Sequence, residues 1–260
     1  MCYVACMKFL SLIGLMVAGV CFGGEMTVVY KDGDVECEGF VVTPEKSKNS
    51  PVVLVVHQWM GLTDYERRRC RELAELGYVA FAMDIYGKGV RPTDKAGAGK
   101  EAGKYKGDRG LFRSRLKAGL AAALKVDGVD VERVGAIGYC FGGTGVLELA
   151  RSGADVDGVV SFHGGLGSPT PADAAKIKGR VLVLHGAVDP FVKAEELVAF
   201  EKEMVTNEVD WELVKYGGAV HAFSQPMAGS DPSKGVAYNK RADVRSWKRM
   251  KEFLASVSAE

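Results

Sequence analysis

Val52 to Val56 is an unbroken run of branched aliphatic residues that reaches its first polar side chain only at His57. A strand of that composition has no face to give to water, so it belongs in the middle of a mostly parallel sheet with helices packed on both sides. The rest of the chain agrees. Thr27 to Tyr30 and Val35 to Thr43 read as a β-hairpin turning at Asp32 and Gly33. Asp64 to Leu76 has apolar residues at helical spacing and stops at Gly77, after which Tyr78 to Met83 returns as a strand. Further strands are expected over Arg133 to Ile137, Val156 to Phe162, Arg180 to His185 and Trp211 to Tyr216. Helices are expected over Thr144 to Arg151, Ala194 to Val205 and Val236 to Val257. This alternation predicts an α/β fold, and the absence of repeats or linker-like stretches predicts one domain over 24–260.

Residues 1–23 stand apart. Lys8 is the only charge before Glu25, and Phe9 to Phe22 is nearly all apolar, too short to span a bilayer comfortably. A basic start, an apolar middle and small residues near Gly23 read as a secretory signal peptide and predict an exported protein, periplasmic or secreted, with Met7 as an alternative start. The competing reading is a buried or membrane-associated N-terminal helix. Cleavage near Gly23 would remove Cys2, Cys6 and Cys21 and leave Cys37, Cys70 and Cys140, an odd number that requires an unpaired thiol. Cys37 and Cys70 are expected to be structural. The formal charge of the whole chain is +1, which supplies no field for nucleic acid or an anionic membrane. Charge is uneven all the same: Lys88 to Arg115 carries nine Lys or Arg against three acids. That segment reads as a solvated loop and helix, or as a positive rim on a substrate entrance at the sheet's C-terminal edge.

The chemistry concentrates at Gly138-Tyr139-Cys140-Phe141-Gly142, between an apolar strand and a helical run. Glycines on either side allow a sharp turn, and a helix N-terminus behind the cysteine favours a thiolate, which is the nucleophile-elbow arrangement with Cys in place of Ser. Such a nucleophile needs a base and a group to orient it. Asp189 follows the strand ending at His185, and His221 lies in the glycine-rich loop after Tyr216, so the order Cys140, Asp189, His221 is that of an α/β-hydrolase. The other histidines, His57, His163 and His185, end apolar strands and are expected to satisfy local backbone groups. None pairs with another at metal-ligand spacing, so no metal is expected, and a hydrolase of this kind is expected to need no organic cofactor.

These residues, with His57 to Leu62, Asp64-Tyr65, Arg67 to Arg69, Met83 to Gly89, His185-Gly186, Asp189-Pro190 and His221-Ala222-Phe223, resemble the dienelactone hydrolase family over nearly all of 24–260. The resemblance implies hydrolysis of an ester or lactone through an acyl-thioester on Cys140, with His221 and Asp189 completing a triad. It implies an oxyanion hole made by the amides of Phe141 and Trp59. Three positions depart from the family pattern: Gln58 stands where the founding enzymes carry Glu, Lys88 where an Arg binds the substrate carboxylate, and Gln225 where a second Arg does. Gln58, Tyr86, Lys88 and Gln225 are therefore candidate substrate-binding residues, with Tyr86 and Trp59 as pocket walls. The expected partner is a small-molecule ester or lactone, with neither nucleic acid nor a stable membrane anchor. Two other readings stand beside this one: a catalytically silent binding protein, and a thioesterase or peptidase using the same triad.

Overall fold

The computed structural model describes residues 22–258, so the signal-peptide reading and Cys2, Cys6 and Cys21 lie outside or at the edge of what it covers. Its centre is one eight-stranded sheet: β1 (Phe22–Asp32), β2 (Val35–Pro44), β3 (Ser50–Val56), β4 (Val79–Met83), β5 (Val129–Tyr139), β6 (Gly158–Phe162), β7 (Arg180–Gly186) and β8 (Trp211–Tyr216). The spatial order is β1-β2-β4-β3-β5-β6-β7-β8. β1 and β2 form the antiparallel hairpin and β2 joins β4 antiparallel; every pairing from β4 to β8 is parallel. This is the α/β-hydrolase architecture.

The apolar run that opened the sequence reading lies at the heart of the sheet and divides its side chains between two cores. Val52, Leu54 and Val56 join one cluster, beneath α3 (Arg109–Ala123), α4 (Phe141–Arg151) and α5 (Ala194–Thr206), with Phe112, Leu116, Val146 and Phe200. Val53 and Val55 join the other, beneath α1 (Asp64–Ala74) and α6 (Lys240–Val257), with Leu73, Met250 and Phe253. Successive strand side chains point to opposite faces, so two buried faces require apolar residues at every position.

The basic stretch is a loop followed by helix, as its sequence reads: Asp94 caps α2 (Lys95–Gly107), and Ala98, Ala102 and Tyr105 form a buried stripe at helical spacing despite the helix's glycines. One segment differs from the sequence reading. The last helix begins at Lys240 rather than Val236, capped by Asn239. The residues just before it are drawn into the site instead, where Gly235 O accepts from His221 N, Ala237 N donates to His221 O, and Asn239 N donates to Phe223 O. Among the described residues, no helix is long and apolar enough to cross a membrane.

Candidate active site

The sheet order reverses beside β3: the chain moves to β4 on one side and then returns to β5 on the other. A crevice opens at the carboxyl ends of strands at such a switch, and here the loop after β3 meets the turn after β5. Cys140 occupies that turn at φ 55°, ψ −111°, a conformation in which a non-glycine residue is strained. Its neighbours make the turn sterically feasible: a Cβ on Gly138 would run into the Gly142 carbonyl, and one on Gly142 into the Val56 carbonyl. Cys140 N donates to Phe162 O at 3.0 Å, which ties the elbow to the next strand. The amides of the first turn of α4 then point past the sulfur, because a helix's first N–H groups have no partner within the helix.

His221 and Asp189 arrive from the loops after β8 and β7. His221 Nε2 lies 3.0 Å from Cys140 Sγ, and its Nδ1 lies 2.8 Å from Asp189 Oδ2. Burial works against charge on both the thiol and the imidazole, but their mutual hydrogen bond and attraction outweigh it. The Cys140 thiol is held below its ordinary value, with Lys106 adding to the pull, and the His221 imidazole, braced also by Asp189, is pushed up to about 10. Each group thereby favours the charged form of the other. Three of the five non-glycine residues with positive φ, Cys140, His163 and Ala222, lie in this small region.

The loop after β3 is held from several directions. The buried Glu66 side chain accepts from Gln58 N at 3.2 Å and Thr63 N at 2.8 Å, forming with Thr63 the capping box of α1. Gln58 Oε1 accepts from Met60 N at 2.9 Å, and the Tyr86 hydroxyl donates to Trp59 O at 2.8 Å. Tyr86 itself is buried against His57 and Phe141. Trp59 N has no acceptor among the described residues, so it is open to a ligand, while Phe141 N turns toward the Cys140 sulfur.

The remaining candidates are distributed as follows. His57 is buried between Gln58 O at 2.7 Å and Ile85 N at 3.2 Å, which fixes the proton on Nδ1; burial lowers its pKa to about 4, so it is neutral and structural. His163 packs edge-on against His221 with its ring centroid 5.3 Å away and shares a 2.8 Å hydrogen bond with the Ser224 hydroxyl. Lys88 is exposed, and its ammonium lies 3.7 Å from Glu36 on the hairpin. Gln225 turns at the start of a short helical segment, with its Nε2 buried and unpartnered. Cys37 and Cys70 are unpaired and buried, and burial pushes both thiols up. Among the described residues no group of His, Cys, Asp or Glu is arranged to hold a metal ion.

Sequence reasoning missed Phe191. This aromatic is 59% exposed, with its ring edge-on to His221 at 5.3 Å, while its amide donates to Asp189 Oδ1 at 2.9 Å. Its place two residues after the aspartate was the only available signal.

Residues 37–258 match the profile of the dienelactone hydrolase family. The protein usf of Aquifex pyrophilus is 32% identical over 212 residues, 77% of this chain and 87% of its own length. A Saccharolobus solfataricus protein named as a carboxymethylenebutenolidase is 28% identical, over 90% of this chain and 99% of its own. Among solved structures, a dienelactone hydrolase-like promiscuous phosphotriesterase from metagenomic libraries superposes with a TM-score of 0.86 at 40% identity, covering 90% of this chain and 98% of that one.

Proposed function

Because the chain belongs to the dienelactone hydrolase family and is a hydrolase of lactone or ester bonds, we propose that it works through a Cys140-His221-Asp189 triad and an acyl-thioester intermediate. The observation that carries this reading is the continuous line from Cys140 Sγ through the imidazole to Asp189, at 3.0 and 2.8 Å. In the first step the Cys140 thiolate attacks the substrate carbonyl. The developing oxyanion is met by the amides of Phe141 and Trp59. His221 Nε2 gives its proton to the departing alkoxide, leaving the acyl group on sulfur as a thioester. The neutral imidazole then takes a proton from water, whose oxygen attacks the thioester carbonyl; the carbon–sulfur bond breaks, the acid departs, and Cys140 is left as thiolate beside the reprotonated His221. Asp189 keeps Nδ1 protonated throughout, so that Nε2 faces the sulfur.

Gln58 and Tyr86 act on this scheme through the Trp59 loop. A primary amide at position 58 cannot take the nucleophile's proton, which therefore rests with His221. Tyr86 restrains the peptide that carries the Trp59 amide by holding Trp59 O.

A panel of short-chain p-nitrophenyl esters, thioesters and lactones tests the reading. Cys140→Ala is expected to abolish ester turnover, by several orders of magnitude for removal of a covalent nucleophile, whereas Cys37→Ala and Cys70→Ala keep most of it. Retained turnover in Cys140→Ala would rule the triad out, and a wild-type protein inert on the whole panel would return the silent binding protein. A second reading adds phosphotriesters as side substrates, favoured by the 40% identity to a relative named for that activity. The same thiolate would attack phosphorus in place of a carbonyl carbon.

Export belongs to the same proposal. β1 begins at Phe22, so a cut after Gly23 would take two residues from its start and leave the hairpin whole. Amino-terminal sequencing of protein recovered outside the cytoplasm is expected to start near Gly24. A start at Met1 or Met7 in that fraction would refute cleavage.

A further inference from the structure

β1 is the outer strand of the sheet, eleven residues long, with β2 on one side and no strand on the other among the described residues. Natural sheets blunt such edges with proline, short strands or inward charges, because an open edge recruits another strand. This edge has no proline, and its bulge is confined to Phe22 and Gly24, so Gly24 to Asp32 runs regularly against β2. It also exposes apolar side chains, with Met26 46% and Val29 49% accessible. Beside it, between β1 and the second half of α3, runs a groove of about 560 Å³ lined by Met26, Val28, Ala118, Ala122 and Val126 among others.

We propose that this edge is an isologous interface at which a second copy of the chain pairs β1 with β1 antiparallel, joining two sheets into one. The sequence of the strand selects one register. Centring the two-fold axis on Val28 overlaps the whole regular stretch, Gly24 opposite Asp32. That register sets Glu25 of each copy against Lys31 of the other and Met26 against Tyr30. Moving the axis to Thr27 or Val29 shortens the overlap and puts both charges opposite uncharged residues or beyond the regular strand. Opposite charges directly across an antiparallel pair stabilise it, and a two-fold axis makes each such contact occur twice.

The side chains sort onto faces that suit the same partner. Glu25 binds Arg71 of α1 at 2.5 and 2.9 Å, so the odd-numbered side chains of β1 lie on the α1 face. Met26, Val28 and Tyr30 face the α3 side, where they line the groove, and Val29 and Lys31 border it along the strand. A partner strand laid along β1 brings its own Met26 and Val28 to that face, and the groove's alanines leave room for them. On the odd-numbered face Lys31 is exposed, and it meets the partner's Glu25, already held extended by Arg71.

The test is sedimentation velocity on the full chain as purified, from about 1 to 100 μM, with ester turnover per chain as the control for folding. A concentration-dependent doubling of mass is expected. Lys31→Glu places like charges opposite one another twice and should weaken association about tenfold, from a cross-strand effect of roughly 1 kcal/mol or more in total. Lys31→Arg keeps a cation opposite the partner's Glu25 without disturbing the Glu25–Arg71 pair and should leave association unchanged. A chain that stays monomeric throughout, association that Lys31→Glu leaves unchanged, or association that Lys31→Arg weakens as much as Lys31→Glu would each overturn the proposal.

Discussion

The Cys140 side chain is placed by its own backbone as much as by what lies beside it. Positive φ turns its side chain out of the strand direction, the unpaired amides of α4 stand behind the sulfur, and His221 approaches from the far side of the crevice. The result can be read without substrate. A thiol held below its ordinary value ionises at lower pH than a free cysteine, whereas burial pushes Cys37 and Cys70 up and favours their protonated form. Among the described cysteines, iodoacetamide is therefore expected to label Cys140 in preference to Cys37 and Cys70 at pH 7. The rate should fall as pH drops through the lowered thiol value and stay level above it, since the thiolate is already formed. His221, pushed up to about 10, remains protonated across that plateau and gives up its proton as pH rises through about 10. Labelling that climbs only through an unperturbed thiol value of about 8.5 would show that the ion pair is not there.

At the scale of elements, what could be read in the sequence was whatever repeats along the chain. The two-faced burial of β3 is written in its composition, and the elbow, Asp189 and His221 are each announced by glycines at a strand end. The rest depends on tertiary partners. Val236 to Asn239 has the composition of a helical turn, but His221 and Phe223 claim its backbone groups. α2 is disguised by its glycines and revealed only by the stripe of Ala98, Ala102 and Tyr105. The anchoring of α4 is hidden in the same way. Arg151, at its end, is fully buried and binds Glu203 at 2.8 and 2.7 Å, Glu148 at 3.1 Å and Leu166 O at 2.9 Å, linking α4 to α5 and to the loop after β6. Arg151→Met would leave Glu203 buried without its partner and Glu148 with fewer. The expected loss is about 3 kcal/mol or more in denaturant unfolding, since a stranded buried charge costs far more than the pair itself contributes. A change below about 1 kcal/mol would show that the Arg151 network does not anchor α4.

For the molecule as a whole, a net charge of +1 excludes long-range steering, so any preference for charged substrates must be built locally. The local source is the helical excursion after β4. Lys95, Lys100, Lys104 and Lys106 of α2 are all exposed, and the charge of Lys106 reaches Cys140. Lys88 lies near Glu36, and Gln225 carries an uncharged amide. Such an entrance attracts anions without gripping them. Flexible ammonium groups in water stabilise an anion by about 1 kcal/mol or less and are screened within a Debye length, whereas a bidentate guanidinium fork would hold a carboxylate more firmly. The kcat/KM of a carboxylated lactone should therefore exceed that of its methyl ester by only a few-fold, ten at most by that energy. The preference should shrink further at about 0.5 M salt, where the Debye length is only a few ångströms, and in Lys106→Met. Arg91 offers the decisive contrast. Its Nη1 is anchored to Asp84 Oδ1 at 3.3 Å, Gly87 O at 3.2 Å and Val90 O at 2.8 Å. A preference above about a hundredfold, equivalent to more than about 2.7 kcal/mol, that survives both salt and Lys106→Met would identify such a rigid guanidinium as the carboxylate's partner and refute the loosely attracting entrance.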